Sequence, residues 1–140
     1  SDPAFIAQQA REREARRVER EREAAQARRA QELEDNLRSI MRIHAVAERW
    51  DDLLRVAQAT PRIALAGPVQ QMQAIRREAA ALPVSSCMQP AKAALLRAMD
   101  YRIGQFIEFM RNANANQSAA ARGYEAALRD MRRAMRECGG

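Results

Sequence analysis

The segment Asn112-Ala113-Asn114-Ala115-Asn116-Gln117-Ser118 decides the fold, because it either breaks a helix or continues it. Asparagine is a poor helix former and a good turn or cap residue, and three asparagines alternate here. Against a break, the helical heptad running from Met110 to Tyr124 continues through the segment without a skip. A break gives two helices of similar length, whereas an unbroken helix would be ~75 Å long.

With a break in the asparagine-rich segment, the apolar faces of all the helices can be buried within one chain. The bundle helices then span 37–59, 61–82, 87–111 and 118–138, each about 22 residues or ~33 Å long. Four matched antiparallel helices with short loops form an up-down bundle. Without the break, the second half of the last helix needs a second chain to cover its apolar face. We therefore predict an all-α fold, an up-down four-helix bundle with a long charged N-terminal helical extension. The alternative is a long-helix coiled-coil dimer.

The composition favours helices throughout. Alanine and arginine are the commonest residues, and both are strong helix formers. Aromatic residues make up only 4% of the chain, and no segment alternates apolar and polar residues with a period of two. A sheet is therefore not expected.

Apolar residues at helical spacing predict the core-facing side of each bundle helix. Thr60-Pro61 ends the first helix, Gly67-Pro68 predicts a kink before a helix from Pro68, and Ser86 with Gln89 has capping-box spacing. The predicted core residues are Leu33, Leu37, Ile40, His44, Ala47, Trp50 and Leu54; Ile63, Ala66, Val69, Met72, Ile75, Ala79 and Leu82; Leu95, Leu96, Met99, Ile103, Phe106 and Met110; and Tyr124, Leu128, Met131 and Met135.

Residues 1–36 form a separate, highly charged helical extension or coiled-coil stalk, and residues 37–140 form the bundle. Residues 10–34 carry eight Arg and seven Glu, with Val18 as the sole apolar residue larger than alanine between Ala10 and Ala30. Such a helix is a solvated spacer, a coiled coil with a second copy, or a contact for another partner. Phe5 and Ile6 at its tip are expected to contact a partner or a nearby membrane anchor. We predict a homo-oligomer formed through this helix.

Charge and hydropathy limit the partners. The net charge is +6, but basic residues are spread along the chain, and no face is obviously basic from the sequence. Nucleic-acid binding requires clustered positive charge, so a nucleic-acid partner is not favoured. No apolar run approaches the ~20 residues that a transmembrane helix requires.

The two cysteines, Cys87 and Cys138, are expected to form a disulfide. A hairpin folded at the asparagine-rich segment brings the start of the third helix to the end of the fourth. The alternative is two unrelated thiols. A disulfide indicates an oxidising compartment, which we expect to be the periplasm or the cell envelope; free thiols would indicate the cytoplasm.

The sequence carries no catalytic, cofactor or metal motif that we can identify. His44 is the only histidine and has no second ligand within helical reach, so it is interpreted as a residue at the edge of the core. Trp50, Tyr101 and Phe106 are candidates for a ligand or partner contact, since bundle cores host ligand sites. We expect no enzymatic activity.

The function predicted from these features is a structural or interaction module of the cell envelope, in which a charged helical stalk presents the bundle for protein–protein contact. Two alternatives stay open. One is a sensor bundle that binds a small ligand, and the other is a cytoplasmic protein associated with nucleic acid.

Overall fold

The computed structural model describes residues 2–139, which contain four α-helices and no β-strand. The helices are α1 (Pro3–Gln58), α2 (Ala66–Ala80), α3 (Gln89–Arg111) and α4 (Ser118–Gly139). Two 3₁₀ turns, Arg62–Ala64 and Ser86–Met88, precede α2 and α3. The chain divides into two compact units, residues 1–34 and residues 35–140, which are called the N-terminal unit and the bundle unit below.

The bundle unit is the predicted four-helix bundle with up-down topology. The start of α3 and the end of α4 are joined by the Cys87–Cys138 disulfide, so these helices are antiparallel. Ser39 of α1 bonds to Ser85 before α3, which places the beginning of the bundle part of α1 at the same end. The all-α prediction is confirmed.

The asparagine-rich segment breaks the helix, as predicted. Asn112 Oδ1 accepts a hydrogen bond from the Asn114 amide at 3.0 Å, and Asn116 Oδ1 accepts one from the Ser118 amide at 3.0 Å. Each side chain thus closes an Asx turn, which satisfies backbone amides that a continuous helix would have paired.

The core face of α1 differs from the predicted one in its first half, whereas Trp50 and Leu54 are buried as predicted. The buried residues form a heptad series, and the predicted stripe is a neighbouring series of the same helix. Leu33, Leu37 and His44 are exposed, so their predicted core positions are wrong. The buried series contains Ser39. Because serine is polar, this series is harder to recognise in the sequence as the apolar face of the helix. The buried residues of α1 are Ser39, Ile43, Val46, Trp50, Leu53, Leu54 and Ala57.

The start of α2 is also different. Ile63 is 97% exposed and Ala66 is exposed, whereas Leu65 is 1% exposed and lies in the core. The predicted core positions of Ile63 and Ala66 are wrong. Residues 62–64 form a 3₁₀ turn, so the helical phase of α2 does not extend back to Ile63. Ala66 is the first residue of α2, and the core position one turn before Val69 is taken by Leu65. Helix α2 begins at Ala66, two residues before the predicted Pro68.

The capping box predicted for α3 is wrong. Ser86 belongs to the 3₁₀ turn and α3 has no side-chain cap at its N-terminus, while Gln89 Nε2 donates to the Val84 carbonyl at 3.2 Å. Pro90 lies in the first turn of α3, where a missing backbone N–H costs no helical hydrogen bond.

In the N-terminal unit, Asp2 caps the helix, since its Oδ1 accepts a hydrogen bond from the Ala4 amide at 2.9 Å. Among residues 2–34, every residue except Ala25 is exposed. Arg17 pairs with both Glu14 and Glu21, and the hydrogen bond from Arg17 lowers the pKa of the Glu14 carboxyl. Such exposed pairs contribute little to stability.

Candidate functional site

The disulfide end of the bundle combines a covalent link with buried polar groups. Cys87 and Cys138 form a disulfide with a Cα–Cα distance of 5.8 Å across 51 residues of chain, as predicted. Cys138 is buried, whereas Cys87 is exposed. The link joins the C-terminal turn of α4 to the 3₁₀ turn before α3.

A hydrogen-bond network next to this disulfide was missed by the sequence analysis. Ser39 is 1% exposed; its hydroxyl donates to the Asp35 carbonyl at 2.9 Å and accepts from the Ser85 amide at 2.8 Å. The Ser85 hydroxyl donates to Asn36 Oδ1 at 2.6 Å, and Asn36 Nδ2 donates to the Cys138 carbonyl at 3.4 Å. Two polar residues in the sequence, Asn36 and Ser39, could have indicated this network, because both occupy heptad positions of the buried face of α1.

Arg62 organises the opposite end of the bundle. Its Nε donates to the Phe109 carbonyl and its Nη2 to the Met110 carbonyl, both at 2.8 Å. These carbonyls lie in the last turn of α3, where helix carbonyls lack helical partners and the helix dipole favours a cation. Arg62 therefore caps α3 from the α1–α2 connection.

A surface pocket of about 300 Å³ lies at this Arg62 end. Arg102 stands with its guanidinium carbon 4.1 Å from the centre of the Tyr124 ring, and its Nη1 donates to Gln105 Oε1 at 3.0 Å. Arg102 Nε is buried and has no hydrogen-bond partner among the described residues. The pocket is lined by Gln58, Arg102, Gln105, Phe106, Phe109, Ala113, Ala115 and Gln117.

The predicted contact residues fall in different places. Phe106 lines the pocket, whereas Trp50 is 2% exposed in the core and does not line it. Tyr101 is 41% exposed and packs against Gly123 of α4. Phe5 and Ile6 are 56% and 49% exposed in the N-terminal unit. The structure therefore does not unite Trp50, Tyr101 and Phe106 in this pocket.

Two glycines of the bundle allow a matched test of the Tyr101 contact. A Cβ atom on Gly123 would lie 2.5 Å from Cε1 and 2.8 Å from Cε2 of Tyr101, whereas a Cβ atom on Gly104 would meet nothing within 4 Å. We expect Gly104→Ala to raise the free energy of unfolding by about 0.5–1 kcal/mol through helix propensity. Gly123→Ala should lower it by about 1 kcal/mol, because displacing the ring outweighs that gain.

Urea denaturation of both variants measures this difference. In a Tyr101→Ala background, Gly123→Ala should become stabilising, as Gly104→Ala is. If Gly123→Ala destabilised the protein equally with and without the Tyr101 ring, the steric explanation would be wrong.

Ion pairs also link the helices of the bundle. Arg76 of α2 donates to both oxygens of Asp100 on α3, each at 3.0 Å, and Arg49 of α1 pairs with Glu78 of α2. The hydrogen bond from Arg49 lowers the pKa of the Glu78 carboxyl. Since these groups are largely exposed, the pairs contribute little to the stability of the bundle.

Comparison with protein-family models, curated proteins and solved structures finds no match. Within residues 2–139, no cluster of three or more His, Cys, Asp or Glu side chains could hold a metal ion. None of the helices described has the length and apolar character required to cross a bilayer.

Proposed function

We propose that the protein is a non-enzymatic interaction module of the cell envelope. In this proposal, the N-terminal unit is a charged stalk that associates with a second copy, and the bundle unit is presented for contact with a protein partner. The disulfide supports an oxidising compartment, because such links persist there and are rare in the cytosol.

The exposure of the N-terminal unit is the observation that carries the proposal. With every residue from 2 to 34 exposed except Ala25, this helix gains almost nothing from packing within its own chain. Helices that are polar all round depend on weak side-chain pairs or on a partner. A second copy is a suitable partner, since eight Arg and seven Glu in residues 10–34 make the surface complementary to itself.

Light scattering of the 140-residue chain over a wide concentration range tests the self-association. We expect the average mass to rise from monomer toward dimer, and the variant Phe5→Ser/Ile6→Ser/Val18→Ser to weaken this rise, because these residues are three of the four large apolar side chains exposed on the unit, the fourth being Leu33. Val56→Ser, at an exposed apolar residue of the bundle unit, is the control and should associate as the parent does. A clean monomer at the highest concentration would refute the association.

A second candidate function, the binding of a small ligand, is favoured by the pocket beside Arg102. Its volume falls at the lower edge of the range for ligand sites, and it combines a cation, amide groups and two phenylalanines. An aromatic carboxylate matches this lining, because Arg102 would supply the positive charge and Phe106 the apolar wall.

Benzoate is the probe for this candidate. We expect titration to shift the ¹H–¹⁵N signal of the Arg102 Nε group saturably, and Phe106→Ala to weaken binding by roughly tenfold through lost apolar contact. Tyr101→Ala, outside the pocket lining, is the control. If benzoate left the Arg102 signal unchanged, this function would be excluded for aromatic carboxylates.

A further inference from the structure

The solvent-exposed face of α4 carries a row of arginines. The net charge counted along the sequence does not show that these residues lie on one face. Arg129, Arg132, Arg133 and Arg136, called the arginine row here, are all exposed and follow the spacing of one helix face. Together with Asp130 they line one shallow depression of about 440 Å³. The opposite face of α4 is buried in the core, so the row faces solvent.

The positive charge of the row is only partly neutralised. Arg133 Nη2 pairs with Asp130 Oδ1 at 2.6 Å, and Arg97 of α3 also reaches Asp130, with Nη2 3.5 Å from Oδ2. Arg129, Arg132 and Arg136 form no ion pair with any of residues 2–139. The acidic residues Glu125 and Glu137 precede and follow the row without an ion pair to it.

The side chains exposed on this face of α4 indicate which class of partner can bind there. No large apolar side chain is exposed along the described part of α4, so a protein partner would lack the apolar centre that protein interfaces require. The phosphate groups of lipids and of nucleic acids both remain as partners, because arginine binds the phosphate oxygens of either. The face is a row of guanidinium groups, and each guanidinium group can donate two parallel hydrogen bonds to phosphate oxygens.

We propose that the arginine row docks the bundle on the phosphate groups of an anionic lipid bilayer. All four side chains are exposed on the solvent-facing side of one helix, so a flat charged surface can contact all of them. The choice of lipid over nucleic acid rests on the envelope location in the proposed function, which the disulfide supports. The arrangement of the arginine row on α4 does not depend on whether the N-terminal unit associates with a second copy.

Co-sedimentation of the oxidised 140-residue chain with lipid vesicles tests the proposal. Each basic residue near an anionic surface increases partitioning roughly fivefold. We expect binding to vesicles with about one third phosphatidylglycerol, no binding to pure phosphatidylcholine, and loss of binding at ~1 M salt, where the Debye length is ~3 Å. Arg129→Gln/Arg132→Gln/Arg136→Gln should reduce partitioning on the order of 100-fold.

The matched control is Arg11→Gln/Arg13→Gln/Arg20→Gln, which changes the net charge equally in the N-terminal unit and should keep binding within a few-fold. Arg129→Lys/Arg132→Lys/Arg136→Lys retains the charge and should still bind, so the proposal stays testable even if the glutamine variant unfolds.

Three results would each overturn the proposal: an equal loss of vesicle binding in the control variant, tighter binding to duplex DNA than to the vesicles at the same salt, or no vesicle binding. Vesicle binding should persist in Phe5→Ser/Ile6→Ser/Val18→Ser, so a failure of self-association leaves this result unaffected.

Discussion

Reducing the Cys87–Cys138 disulfide should lower the free energy of unfolding by about 4 kcal/mol. The bond closes a loop with a sequence separation of 51, and the chain-entropy relation assigns a loop of that length this stabilisation. For a domain of about 100 residues, the melting temperature should fall on the order of 20 °C. Thermal unfolding followed by circular dichroism, with and without reductant, measures the change.

The variant Cys87→Ala/Cys138→Ala provides the control for this experiment. It should melt close to the reduced parent and should not respond to reductant. If the reduced and oxidised parent proteins melted at the same temperature, the disulfide would not stabilise the bundle.

Replacing Ile43 by alanine should cost about 2–5 kcal/mol, the second large effect that we expect. Ile43 is 1% exposed in the core stripe of α1, so truncation leaves a cavity that the surrounding helices fill only partly. Chemical denaturation gives the change in free energy directly from the shift in midpoint.

Leu37→Ala is the matched control, six residues earlier on the same helix. Leu37 is 46% exposed, so this truncation should change the free energy of unfolding by no more than about 0.5 kcal/mol. If Leu37→Ala cost as much as Ile43→Ala, α1 would pack with the face predicted from the sequence, and the core described above would be wrong.

Helix count, topology and the disulfide could be predicted because each depends on local chemistry or simple length matching. The alternating asparagines close Asx turns that end one helix and precede the next. Once the chain turns there, the lengths of α3 and α4 bring Cys87 to Cys138. Neither step required knowledge of side-chain packing.

The face of α1 and the start of α2 could not be predicted in the same way. Two neighbouring heptad series on α1 both contain apolar residues and meet at Trp50. Before Trp50, the series with more leucine is not the buried one. Ser39 is buried because Ser85 and Asp35 satisfy its hydroxyl, and those partners are known only from the tertiary structure. Likewise, the exposure of Ile63 follows from a 3₁₀ turn held by the side chain of Arg62.

The arginine row was hidden for a related reason. Counted along the sequence, arginines in the last third of the chain are offset by acids, which predicts no basic face. Burial of the opposite side of α4 selects which residues reach solvent, and it leaves Arg129, Arg132 and Arg136 on one side without an ion pair to residues 2–139. A count of charges along the sequence does not show which arginines lie on the exposed side of a helix.

Association through the N-terminal unit is the central claim, and a distance between two copies tests it most directly. A spin label on Ala24→Cys, an exposed position of the N-terminal unit, would report this distance by pulsed dipolar spectroscopy in the oxidised protein, with a label on Gln70→Cys of the bundle unit for comparison. We predict dipolar coupling between Ala24→Cys labels of two copies that grows with protein concentration and disappears in Phe5→Ser/Ile6→Ser/Val18→Ser. The absence of coupling at every concentration would contradict the claim and leave the N-terminal helix as a solvated spacer.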